Sequence, residues 1–130
     1  MERERQKGPA DAPLAEPPAD RPRAAEPAAQ PLPPAVPGEP LKPRRLLDEL
    51  RRALPRDARV FVDNGSIRTW AGRYFPVYGE GRFFVNMGLA SMGYAVAGSI
   101  GGSLADPSRP TVALVGDAAF LMNGTEVHTA

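Results

Sequence analysis

Cysteine is absent from this 130-residue chain. No disulfide can staple a small core, and no thiolate metal site is available. The single histidine, His128, excludes a multi-histidine zinc site and leaves little room for a Ser-His-Asp triad. Neither sign of charge is in excess: 16 basic and 15 acidic residues give a net charge of +1. A nucleic-acid binder shows a larger or clustered basic surplus, so no nucleic-acid partner is expected. The absence of cysteine fits a cytoplasmic protein. The N-terminus, Met1-Glu2-Arg3-Glu4-Arg5, has no apolar run of the kind a signal peptide needs.

Proline is plentiful, and 12 of the 16 prolines lie in residues 1–43. That segment has no aromatic residue, and between Pro9 and Pro40 its large aliphatics are Leu14, Leu32 and Val36. It cannot bury enough apolar surface to offset the entropy of ordering, and is expected to be a disordered linker or tail. Residues 44–130 are left to form a domain, small enough to be marginal alone.

From Pro43 onward the pattern changes. Leu46, Leu47, Leu50 and Leu54 recur at helical spacing between Pro43, which suits a first turn, and Pro55, which ends the run. Arg59-Val60-Phe61-Val62-Asp63 reads as a short strand closed by Asn64-Gly65. A helix is expected over 66–74, a short strand over 82–85, and a helix of small residues over 92–105. Thr111-Val112-Ala113-Leu114-Val115 is the clearest buried strand, and a last helix is expected to begin near Asn123. Alternating helices and strands predict an α/β fold with a parallel sheet. Three strands make only part of such a sheet.

Residues 83–105 carry no charge and are long enough to cross a bilayer, and Gly98 and Gly102 form a GxxxG pair. Five glycines, three serines and Asn86 dilute the stretch. Small residues at 93, 97, 98, 101 and 105 suit a helix packed closely on a sheet, and no membrane association is expected.

The strongest local signal is Val112 to Phe120, in which a hydrophobic strand delivers Asp117 to its C-terminal end just after Gly116. Open α/β sheets bind ligands at that edge. A lone carboxylate there suits Mg²⁺, which prefers hard oxygens and commonly binds one or two carboxylates with phosphate oxygens. A turn-capping role would account for Asp117 equally well. Asn123-Gly124-Thr125-Glu126 has the form of a capping box.

Three segments together resemble the thiamine diphosphate (ThDP) enzymes of the acetolactate synthase and pyruvate decarboxylase group. They are Asp63-Asn64-Gly65 followed by Trp70, then 88–101, then 116–130. The resemblance covers about 41–130 and implies a partial C-terminal, pyrophosphate-binding domain that takes ThDP and Mg²⁺. By motif position it implies that Asp117 ligates the metal and that Gly116 precedes it. The backbone around Ala118 and Ala119 would approach the diphosphate. Met92 would be the bulky residue beneath the cofactor that keeps it bent. The backbone carbonyl of Ala90 would accept a hydrogen bond from the cofactor's 4′-amino group.

Two departures from the pattern stand out. The usual Gly-Asp-Gly is here Gly116-Asp117-Ala118, and alanine disfavours positive φ. The asparagine that completes the family's metal site lies farther along than Ala130, and Asn123 is too close to replace it. The catalytic glutamate comes from a different domain, so no catalytic residue is assigned, and His128 is expected to be structural or interfacial. The implied whole is a 2-keto acid decarboxylase or carboligase, of which this chain is a truncated or split part. Another chain or domain would supply the pyrimidine-binding half. A non-catalytic module docking on a full-length paralogue is the alternative.

Overall fold

The computed structural model describes residues 37–130, so most of the proline-rich segment expected to be disordered lies outside the described residues. In chain order the elements are α1 (Pro43–Ala53), β1 (Arg59–Val62), α2 (Ser66–Tyr74), β2 (Phe83–Val85), α3 (Tyr94–Ala105), β3 (Thr111–Leu114) and α4 (Asp117–Asn123). A 3-10 helix, Gly124–Thr129, follows α4, with Asn123 as its N-cap. The strands form one parallel sheet in the order β2-β1-β3. Val62 is level with Val85 on one side and with Leu114 on the other. The α/β expectation holds.

Helix α1 starts with proline in its first turn, where the missing N–H costs nothing. It stops at Leu54, whose extended backbone is what a residue preceding proline adopts. Leu47 is fully buried, while Leu46 points outward and lies off the stripe that the spacing implied.

Strand β1 is central and buried along its whole length. Its alternation sends successive side chains to opposite faces. Val60 and Val62 join Leu47, Ala71 and Phe75 in a core under α1 and α2, with Phe83, Val85 and Leu114 packed against it. Fully burying each valine contributes about 1.5–3 kcal/mol. Phe61 faces α3, stacks on Phe84 at 4.5 Å, and lies 6.3 Å from the Tyr94 ring. A Cβ at Gly98 or Gly102 would come within 2.9 or 2.7 Å of the Phe61 ring. The GxxxG pair therefore lets α3 approach β1. Among the described residues no helix is long and apolar enough to cross a membrane.

Parallel crossovers place helix C-termini at the amino end of the sheet and helix N-termini at its carboxyl end. The C-termini expose carbonyls and the N-termini expose N–H groups. Arginines serve the amino end. The Arg59 guanidinium donates to the carbonyls of Asp106 and Arg109, just past α3. Arg51 donates to those of Leu54 and Pro55, just past α1. The carboxyl end is served by carboxylate and amide side chains, and it forms the candidate site.

Candidate functional site

Three loops meet at the carboxyl end of the sheet: 63–65 after β1, 86–93 after β2, and 115–116 after β3. Their starting points are level because the strand register aligns Val62, Val85 and Leu114. The Asp63 N–H continues this ladder, donating to the Leu114 carbonyl at 2.9 Å.

Asp63 is fully buried. Its carboxylate accepts three backbone N–H bonds: from Asn64 at 2.8 Å, Gly93 at 2.9 Å and Ala95 at 2.7 Å. Gly93 is the N-cap of α3, and Ala95 lies in its first turn. Asp63 thus caps α3 from about thirty residues away, with a negative charge at the positive end of the helix. Asn64 donates to the Ser91 carbonyl at 2.8 Å and accepts from Arg68 at 2.8 Å. Asn86 donates to the Ser91 hydroxyl at 3.0 Å.

These bonds hold a loop with an unusual backbone. Ala90 has φ +54°, the one positive φ among non-glycine residues described. A left-handed alanine costs roughly 1–2 kcal/mol, which the surrounding bonds must offset. Gly93 has φ +87°, and a Cβ there would lie 2.5 Å from the Asn123 amide. Glycine is required at this position both for conformation and for room. Ala90 and Met92 are half-buried on this loop.

On the neighbouring loop, Gly116 is the N-cap of α4 and Asp117 opens the helix. The first intrahelical bond runs from the Phe120 N–H to the Gly116 carbonyl at 2.8 Å. The N–H groups ahead of it have no intrahelical acceptor. Asp117 and Ala118 are exposed, whereas Ala119 is buried. A Cβ on Gly116 would meet nothing within 4 Å, so the approach to this turn is open.

Residues 63–130 match the family model "Thiamine pyrophosphate enzyme, C-terminal TPP binding domain". The chain belongs to the thiamine pyrophosphate enzyme family. It is 42% identical over 88 residues to the "Putative acetolactate synthase large subunit IlvB2" of Mycobacterium tuberculosis, covering 68% of this chain and 16% of that one. It is 38% identical over 87 residues to the sulfoacetaldehyde acetyltransferase of Castellaniella defragrans, covering 67% and 14%. The X-ray structure of a "putative thiamin diphosphate-dependent enzyme" from Mycobacterium smegmatis superposes with a TM-score of 0.63 at 25% identity. That superposition covers 70% of this chain and 18% of the other. The chain therefore spans about one sixth of the length of the relatives it matches.

Within this TPP binding domain, the sequence-predicted residues fall on two adjoining loops. Ala90 and Met92 lie on the loop after β2, and Gly116, Asp117, Ala118 and Ala119 at the turn after β3. Ala118, where glycine is usual, carries no backbone strain, because the residue is helical and needs no positive φ.

The expected capping box is not formed. The last helical element does begin near Asn123, as a 3-10 helix over Gly124–Thr129 with Asn123 at its N-cap, but no side chain caps it. The helix not expected is α4, which precedes it from Asp117 and ends at Asn123, whose side chain lies against Gly93. Glu126 and His128 sit exposed in this 3-10 helix. Asp117-Ala118-Ala119, an acidic residue followed by two strong helix formers, was the local signal for α4. The role of Asp63 also escaped the sequence reading. It ends a buried strand as Asp117 does, but its partners are 30 and 32 residues away.

Proposed function

We propose that this chain supplies the diphosphate- and Mg²⁺-binding portion of an acetolactate synthase-like 2-keto acid decarboxylase or carboligase. A second chain or domain contributes the pyrimidine-binding half and the catalytic glutamate, and the whole acts in the cytoplasm. The observation that carries the reading is the convergence of the 86–93 and 115–116 loops on one sheet edge inside a TPP binding domain.

The donor chemistry at that edge fits the cofactor. Asp117 offers one exposed hard carboxylate beside an open glycine turn. No group of three or more His, Cys, Asp or Glu side chains gathers among the described residues. Mg²⁺ suits such a site, because it takes most of its oxygens from water and phosphate. Asp117 would hold the metal, and the amides of Ala118 and Ala119, which have no intrahelical acceptor, would face diphosphate oxygens. Met92 would support the bent cofactor from below, its unbranched side chain filling an irregular gap. The Ala90 carbonyl, turned by its left-handed backbone, would accept from the 4′-amino group. When bound, ThDP supplies the electron sink that makes loss of CO₂ from a 2-keto acid feasible.

Titrating the assembled protein with ThDP, with and without Mg²⁺, tests the reading. Saturable binding that disappears on chelation of Mg²⁺ is the expected result. Equal binding in EDTA contradicts it. Docking onto a full-length paralogue with no ThDP binding would favour the non-catalytic alternative.

A further inference from the structure

We infer that Asp63 and Asn64 are positioning residues that set the backbone of Met92 from both sides, an inference that rests on the function proposed above. The two peptide groups flanking Met92 are each held by one of these consecutive side chains. The peptide before it offers the Ser91 carbonyl, which accepts from the Asn64 amide at 2.8 Å. The peptide after it offers the Gly93 N–H, which donates to the Asp63 carboxylate at 2.9 Å. With both peptide planes fixed, φ and ψ of Met92 have little freedom, and its side chain leaves the loop in one direction.

The residue types match this task. Three N–H groups converge on Asp63, so both of its oxygens must accept. A carboxylate is the compact side chain that only accepts. Asn64 must donate to a carbonyl on one side and accept from Arg68 on the other, which an amide does and a carboxylate cannot. Arg68 can only donate, so it fixes which way the amide points. Asp63 and Asn64 are both buried, 0% and 6% exposed, so water does not compete for these bonds. Neither residue lies on the turn after β3 that carries Asp117. The clamp therefore acts on the loop under the reacting end of the cofactor and leaves the diphosphate end alone.

Asp63→Asn and Asn64→Asp test the clamp at nearly constant shape. The first turns an NH₂ toward one of the three N–H groups, and the second sets a carboxylate against the Ser91 carbonyl. In the assembled protein without ThDP, Asp63→Asn should raise amide hydrogen exchange at Gly93 and Ala95. With ThDP and Mg²⁺, both variants should keep affinity within about threefold of the unaltered protein. Proton exchange at the thiazolium C2 should slow by on the order of tenfold to a hundredfold, the scale of a 1 Å misplacement. Added to Met92→Ala, either variant should bring little further slowing, because both act through the same side chain.

Unchanged exchange at Gly93 and Ala95, together with normal C2 exchange, would overturn the inference. So would equal losses of affinity and C2 exchange that simply multiply with those of Met92→Ala, since that is how a merely structural residue behaves. If Asp63→Asn does not fold, Asn64→Asp alone carries the C2 and additivity tests. If the unaltered protein binds no ThDP, the proposed function fails and the role toward Met92 falls with it. Amide exchange at Gly93 would still report whether the clamp exists, so the two failures are distinguishable.

Discussion

The two ends of the sheet are tied down by opposite chemistry. At the amino end, Arg59 and Arg51 donate to carbonyls just past α3 and α1. At the carboxyl end, Asp63 accepts from the first N–H groups of α3. The difference follows from the parallel topology, which gathers helix C-termini at one end and N-termini at the other. Cations suit the first end and anions the second. The amino end consumes its charge internally, because its carbonyls are already bonded to arginine. The carboxyl end does so at α3 but not at α4, where Asp117 and Ala118 stay exposed and the first N–H groups have no intrahelical acceptor. Under the function proposed above, an anionic ligand with a divalent cation would complement that opening.

The largest effect expected from disturbing this contrast is at Asp117. Asp117→Ala should weaken Mg²⁺-dependent ThDP binding by at least about a hundredfold, the upper end of what losing even an outer-shell partner costs. The exposed side chain contributes little to folding, so stability should move by no more than about 0.5 kcal/mol. Calorimetric titration beside a thermal melt separates the two quantities.

Met92→Ala comes next, on the other loop of the same end. It should slow C2 proton exchange by on the order of a hundredfold while affinity stays near normal, because the diphosphate contacts are untouched. If Met92 serves only as packing, binding and exchange should fall together.

At the opposite end, Arg59→Ala should strand the carbonyls of Asp106 and Arg109. A loss of about 1–3 kcal/mol of stability is expected, with ThDP affinity in the folded fraction unchanged. Chemical denaturation and titration of the same sample would show both. A matching loss of affinity would mean that the ends are not independent.

Ala118→Gly should have the smallest effect. Restoring the usual glycine should leave ThDP affinity within about twofold and cost up to about 1 kcal/mol, because glycine is the poorer helix former. A gain in affinity would show that the Ala118 methyl obstructs the diphosphate.

How much of this was legible in the sequence depended on how far each cause reaches along the chain. Helix α2 and strands β1 and β3 are specified within a few residues, by Asn64-Gly65 and by runs such as Thr111 to Leu114, and they fall where the pattern puts them. The carboxyl-edge position of Asp117 was legible for the same reason, since a buried strand followed by glycine and aspartate is a local signal. Near Asn123 the pattern marked a real helical start, that of the 3-10 helix Gly124–Thr129, but it missed α4 just before it and implied a side-chain cap that does not form. In the fold, Asn123 is instead occupied against Gly93, thirty residues away. The capping role of Asp63 depends on such distances, because Gly93 and Ala95 arrive only when α3 crosses over the sheet. The left-handed turn at Ala90 has no sequence signal, since alanine does not favour it. The residues just after it are held by Asn64 and Asp63, which no local pattern announces.

Hydrogen–deuterium exchange of the assembled protein, with and without ThDP and Mg²⁺, tests the central claim most directly. Peptides covering 86–95 and 116–120 should gain protection, while those covering 106–111 at the amino end should not change. Protection at the amino end, or none at 116–120, would contradict the assignment of the carboxyl edge as the cofactor site.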